Sequence, residues 1–363
     1  MTTVPQLCQT LQSVLGADAE RSGRESGFVQ RYSKMNGANF TQTLVFGWLA
    51  DPQASLETLC GTALAVGRDI TPQGLDARFS EQAANCLRGV LEQATRQIVS
   101  ADPLAIPILQ RFSAVHLIDS TQISLPPILA TSWPGCGGKE PTAALKVQVR
   151  LDLLHGSLAL SLHAGRCSDR TSPYQAEAMP AGALRLSDLG FFDLARLAAI
   201  GAQDGYWLSR PQAGTKWFDA DGHALNLERF LQHQTEPAVE APVQLGAAER
   251  LRCRLLAWRV PPAVARKRRE RLHAQARKSQ QAVSRERLRL ADWTLYVTNL
   301  PAAHLSMAEA RVMARVRWQI ELLFKLWKSH GQIDTSQSTR HGGCSARSMP
   351  NCSAKSYNTG YYW

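Results

Sequence analysis

The feature that most constrains this chain is a change of hydrophobic period near Phe112. Before it, apolar residues recur at helical spacing. After it come short apolar or alternating runs of the length of a strand. Leu7, Leu11, Val14 and Leu15 mark an amphipathic start. Residues 40–49 and 56–66 have helical patterns, Thr71-Pro72 is an N-cap followed by proline at the first helical position, and a longer helix is expected over 80–100. A helical unit over residues 1–108 follows. The segment 70–79, with Arg78, reads equally as a recognition helix or as part of a plain bundle.

Beyond Phe112 the run Ala114-Val-His-Leu-Ile-Asp119 reads as a buried strand with Asp119 at or near its end. Residues 145–154 and 157–164 read as a hairpin turning at His155-Gly156. Ala183-Leu-Arg-Leu-Ser-Asp188 is a second apolar run ending in a carboxylate. Residues 192–201 look helical. Strand patterns recur at 205–210, 251–260 and 293–298, and short broken periodicities fill the stretch from Lys216 onward.

With 363 residues, the chain is long enough for two or three structural units. Its formal charge of +11 suggests a polyanionic partner, nucleic acid first. Most of the excess lies in residues 266–289, where ten basic side chains, Arg266, Lys267, Arg268 and Arg269 among them, face two acidic ones. A solvated helix face is one reading of this run and phosphate contact the other. The eight cysteines form no C-x-x-C pair and have no histidine at zinc-finger spacing, which argues against a zinc site and for a reducing cytosol. No apolar run approaches membrane-spanning length.

Near the end of the sequence, Arg317-Trp-Gln-Ile-Glu321-Leu-Leu-Phe-Lys-Leu-Trp-Lys328 reads as a two-faced helix. Ile320, Leu323, Phe324 and Trp327 fall on the core side. Arg317, Glu321, Lys325 and Lys328 share the other. Alone, that polar face is either a salt-bridge ladder or a metal-ligating glutamate flanked by phosphate-binding cations. Asp119 and Asp188 turn the balance, since two-metal phosphoryl transfer uses a set of hard carboxylate oxygens. Asp152, read as mid-strand, and Asp169, Asp193 and Asp204, read as loop or helix-end residues, are the competitors.

These blocks resemble the insertion-sequence transposases of the family named after insertion sequence four. Arg317-x3-Glu321-x6-Lys328 is similar to the core of that family's Tyr-x2-Arg-x3-Glu-x6-Lys signature. Leu117-Ile-Asp119-Ser-Thr and Asp188-Leu-Gly-Phe-Phe resemble its two aspartate motifs. Tyr206-Trp-Leu-Ser-Arg210 and the region around Phe46 are similar to it less specifically. The likeness covers roughly residues 26–336.

The resemblance implies an α/β fold: a ribonuclease-H-like catalytic core over 109–205 and 292–336, a β-rich insertion with the basic segment over 206–291, and an all-helical N-terminal DNA-binding domain. It implies that Asp119, Asp188 and Glu321 are the catalytic and metal-binding triad for two Mg2+ ions, with Mn2+ as a substitute. It makes Arg317 and Lys328 phosphate contacts. It also implies element-end inverted repeats and target DNA as partners, a homodimer in a synaptic complex, and a cytoplasmic, nucleoid-associated protein. Asp188 and Glu321 stand 133 positions apart (321 minus 188), too far for a single loop.

Two departures stand out. Ala314 occupies the signature tyrosine position, and residues 337–363 form a serine-rich tail with no apolar period, expected to be poorly ordered and to look like a frame change or truncation. A catalytically impaired transposase that only binds or blocks DNA, and a nuclease on the same core, are the rival readings.

Overall fold

The computed structural model describes residues 4–31, 35–51, 53–101, 107–138, 140–280 and 282–317, together with Ile320, Glu321, Phe324, Lys325 and Lys328. The tail expected to be disordered lies outside the described residues, as do Leu323 and Trp327. The chain divides into two compact units. One is built from residues 1–106, 116–173 and 318–363, the other from 107–115 and 174–317.

The first unit opens with helices α1 (Val4–Ser13), α2 (Ala19–Glu25), α3 (Gly37–Ala50), α4 (Leu56–Ala65), α5 (Pro72–Asp76) and α6 (Glu81–Ala101). Their starts follow local chemistry. Asn36 Oδ1 accepts the Asn39 N–H at 2.8 Å, and Thr71 caps α5 ahead of Pro72. The α2–α3 approach depends on glycine, since a Cβ at Gly37 would lie 2.3 Å from the Ala19 carbonyl oxygen. The stretch around 70–79 resolves into the five-residue α5 with Leu75 fully buried, which favours the plain bundle for that segment.

The same unit carries a three-stranded antiparallel sheet in the order β3-β2-β1: β1 (Val115–Ser124), β2 (Ala144–Asp152) and β3 (Leu158–Ala164). The expected hairpin is β2–β3. Pairing of Asp119 with Val149, and of Val149 with Leu160, puts Asp119 in a row of apolar side chains. On the opposite face Ser120, Gln148 and Ser161 align.

The second unit has helices α7 (Pro173–Ala176), α8 (Leu194–Ala202), α9 (Leu227–Gln232), α10 (Pro262–Ser279), α11 (Arg285–Leu290) and α12 (Met307–Val316). Its strands are β4 (Leu184–Ser187), β5 (Tyr206–Ser209), β6 (Trp217–Phe218), β7 (Ala238–Leu245), β8 (Leu251–Arg259) and β9 (Trp293–Thr298), in the order β4-β5-β9-β8-β7-β6. β4 and β5 are parallel and α8 connects them; the other described pairings are antiparallel. Leu197, Trp207, Leu245, Leu255 and Val297 anchor its core.

Strand β7 was not expected from the sequence. Pro242 interrupts its pattern, and proline removes a ladder donor. It is tolerated because β6 pairs only with Gln244 and Leu245, so the Pro242 stretch of β7 has one neighbour, β8. The architecture is mixed α/β, with strands and helices in both units.

Candidate active site

Asp119 is not at a strand end. It is the fifth of ten residues in β1 and is buried. The apolar run looked terminated by a carboxylate, but pairing with β2 continues through Ser124. The Ser120 N–H donates to Asp119 Oδ1 at 2.8 Å. A carboxylate in an apolar row is costly unless compensated, and a mid-strand backbone fixes where its oxygens point.

Asp188 sits differently. It follows the last residue of β4 and opens a 3₁₀ turn, Leu189–Phe191, without capping it through its side chain. That side chain is 44% exposed, and Arg317 Nη1 lies 3.9 Å from its Oδ1. This is the one pair of sequence-selected site residues for which a direct contact is described, and at that distance and exposure it is a weak ion pair.

Arg317 closes α12 as its C-cap residue. Glu321 is helical and half-buried, with Ile320 and Phe324 buried beside it, Lys325 exposed and Lys328 half-buried. The described residues thus follow the expected two-faced pattern. Ala314 lies in α12, half-buried.

Three of the four competing aspartates have described side-chain partners. Asp152 ends β2 rather than lying mid-strand. Its carboxylate accepts from the Leu154 N–H at 3.0 Å and lies 2.6 Å from His155 Nδ1, so it shapes the hairpin turn. Asp169 accepts from Ser120 Oγ at 2.8 Å and Lys146 Nζ at 3.2 Å. Asp193 caps α8 through the Arg196 N–H, and Asp204 occupies a left-handed turn at φ 56°.

The basic run is split by its geometry. Arg266 is exposed, 3.9 Å from Glu270, and Lys267 is exposed too. Arg268 donates to the Trp293 carbonyl and to Thr294 Oγ1, both at 2.9 Å, and burial together with nearby Arg210 lowers its pKa. Arg269 bridges Asp292 at 2.5 Å. Two of the four thus clamp α10 to β9 and its approach.

Asp219, Asp221 and His223 bring ligand-type atoms within 4.8 Å of one another, the one such group among the described residues. The Asp219 carboxylate accepts from the Asp221 and His223 N–H groups within the turn, and the His223 N–H holds Asp219 below the ordinary aspartate range. Sequence reasoning missed Arg185 and Gln175, which are bonded to each other and, through Gln175, to the Phe191 carbonyl at the end of the Asp188 turn. The available hint is that a lone arginine between Leu184 and Leu186 is unusual for a buried run.

A buried mid-strand aspartate, a strand-end aspartate and a helical glutamate, on a mixed α/β scaffold with a strongly basic segment, offer the residue types that metal-dependent nucleic-acid enzymes use. The chain belongs to the transposase DDE domain family, which matches residues 110–346 and so takes in all three carboxylates. It is 27% identical over 345 residues to the transposase of insertion sequence element IS231F of Bacillus thuringiensis subsp. israelensis, covering 88% of this chain and 72% of that protein. It is 27% identical over 347 residues to the IS231B transposase of Bacillus thuringiensis subsp. berliner, with the same coverage, and 21% identical over 342 residues to the IS1151 transposase of Clostridium perfringens. The protein is a DNA transposase of a family whose chemistry is metal-dependent strand cleavage and transesterification. No described helix is long and apolar enough to cross a membrane.

Proposed function

We propose that Asp119, Asp188 and Glu321 form the carboxylate triad of this transposase and hold two Mg2+ ions, with Mn2+ able to replace them. We place them in a ribonuclease-H-like core interrupted by a β-rich insertion. The donor set fits. All three offer hard oxygen ligands suited to Mg2+, and none of the three is a helix cap or turn former through its side chain in the way Asp152 and Asp193 are. When bound, such ions supply Lewis acidity and lower the pKa of water.

The protein's own groups then have distinct tasks. The buried strand fixes Asp119, and the turn after β4 presents Asp188 to solvent. Arg317 and Lys328 hold phosphates near the cleaved end. Arg266 and Lys267 extend the cationic track along α10. Water attacks the phosphodiester at the element end, releasing a 3′-hydroxyl. That hydroxyl attacks a second phosphodiester in target DNA: its oxygen bonds to phosphorus as the target strand's P–O3′ bond breaks, the attacking hydroxyl gives up its proton, and the departing target 3′-oxygen takes one up. Paired ends imply a homodimer in a synaptic complex, acting in the cytoplasm at the nucleoid.

The observations that carry this reading are that the family match spans all three carboxylates and that Asp188 stands partly exposed on a strand-end turn beside Arg317. A strand-transfer assay on element-end DNA in Mg2+ tests it. Asp119→Ala, Asp188→Ala and Glu321→Ala are each expected to lower cleavage by about a thousandfold or more while DNA binding is retained. Near-wild-type nicking by any one of them strikes that residue from the triad. In the parent protein, nicking without joined product would indicate a nuclease, and binding alone an inert remnant in which Ala314 replaces a needed ring.

A further inference from the structure

Arg185 lies in β4, three residues before Asp188, and is 2% exposed. Burying a guanidinium is costly, and a well-packed apolar side chain often serves stability as well or better. Burial and Arg196 lower its pKa and Asp193 raises it; the net is a value of about 10, so it stays cationic at neutral pH.

Its bonds lead to one place. Arg185 Nη2 donates to Gln175 Oε1, and Gln175 is itself 5% exposed. Gln175 Nε2 donates to the Phe191 carbonyl oxygen at 2.8 Å. The Phe191 N–H donates to the Asp188 carbonyl oxygen at 3.0 Å. The relay runs from β4 through α7 to the far end of the turn that Asp188 opens. Arg185 Nε has no acceptor, so this cation is not placed to satisfy itself fully. The asymmetry is physical. Asp119 is aimed by a paired strand, whereas the Asp188 carboxylate stands on a short turn whose own ladder has ended.

We propose that Arg185 and Gln175 are positioning residues for Asp188, fixing the turn so that its carboxylate meets a divalent cation in one orientation. This rests on the reading of Asp188 as a metal ligand. Residues that orient ligands in this way typically change metal affinity when lost, by roughly tenfold or more.

The test is Mn2+ binding to the full chain, followed by electron paramagnetic resonance, beside the Mg2+ dependence of element-end cleavage and the thermal midpoint. Gln175→Glu keeps an acceptor facing Arg185, adds a negative charge beside that guanidinium, and replaces the amide that holds Phe191 with an oxygen that cannot donate. It is expected to raise the Mn2+ dissociation constant and the Mg2+ half-saturation roughly tenfold, with cleavage recovering at high Mg2+. Arg185→Met should do the same, and Arg185→Lys should recover part of the affinity. Asp188→Asn is the reference, expected to lose the site at any metal concentration.

An unchanged Mn2+ isotherm in folded Gln175→Glu overturns the proposal, even if stability falls. If that variant does not fold, Arg185→Met decides in the same way, and an unchanged isotherm there is equally fatal. An unchanged isotherm in Asp188→Asn removes instead the reading of Asp188 as a ligand.

Discussion

Asp119 and Asp188 are the same side chain in two unlike seats. Asp119 is buried mid-strand, paired across the sheet with Val149, and β1 is held by β2 from His116 through Ser124. Asp188 is 44% exposed on a turn just past the four-residue β4, beside Arg317. The first is aimed by a backbone ladder. The second is aimed by side chains that reach the turn from below. A carboxylate in the first seat tolerates little change of length, whereas one in the second can shift as long as the turn is held.

The comparison is broken most directly by adding one methylene to each. Asp119→Glu adds a methylene to a buried side chain on a paired strand and is expected to lower cleavage by on the order of a hundredfold or more and to destabilise by about 1–3 kcal/mol. Asp188→Glu should lose roughly tenfold in cleavage, with stability within about 0.5 kcal/mol of the parent. Single-turnover cleavage and thermal melts measure both. Equal losses in the two variants would mean that the seats are equally rigid.

The same contrast between consumed and offered groups is sharpened on α10. Arg268→Ala removes the bonds to Trp293 and Thr294 and should cost about 1–3 kcal/mol of stability, with little change in the salt dependence of DNA binding. Arg266→Ala with Lys267→Ala should leave the melt unchanged and reduce the log–log salt slope by about 1.8, or 0.9 per phosphate contact. A slope that stays constant in the second variant would make the exposed half of the run a solvated face.

The smallest expected effect lies at the start of α12, the helix that ends at Arg317. The Arg111 guanidinium, then the Ser306 N–H and hydroxyl, hold Glu309 at about 2, below its ordinary 4.5. A depressed carboxylate adds stability that is present above the ordinary value and lost as pH falls from about 4.5 toward 2. Arg111→Ala should therefore narrow the difference between melts at pH 6 and pH 3. An unaltered difference would show that the capping box alone holds Glu309.

Much of the scaffold was legible because its signals are local. Thr71-Pro72 opened α5, the alternation at 251–260 became β8, and His155-Gly156 sits in the turn of the β2–β3 hairpin. The order of Asp119, Asp188 and Glu321 was legible too, since a motif is a spacing along the chain. Their seats were not. Asp119 looked terminal because a carboxylate follows four apolar residues, and Asp152 looked mid-strand because apolar residues continue past it.

The sequence by itself determined where the positive charge gathers, in which order the acidic motifs come, and many of the helical and extended segments, though not β7. Each depends on residues a few positions apart, within reach of backbone propensity and side-chain period. Only the tertiary structure decided which charges are spent inside the fold. Arg268 and Arg269 are bound to a strand and an aspartate more than twenty residues away, and Arg185 reaches Phe191 only through Gln175. Burial and hydrogen-bond partnership belong to pairs brought together by folding, so four adjacent basic residues can look alike in sequence and still divide into two that clamp the protein and two that face outward.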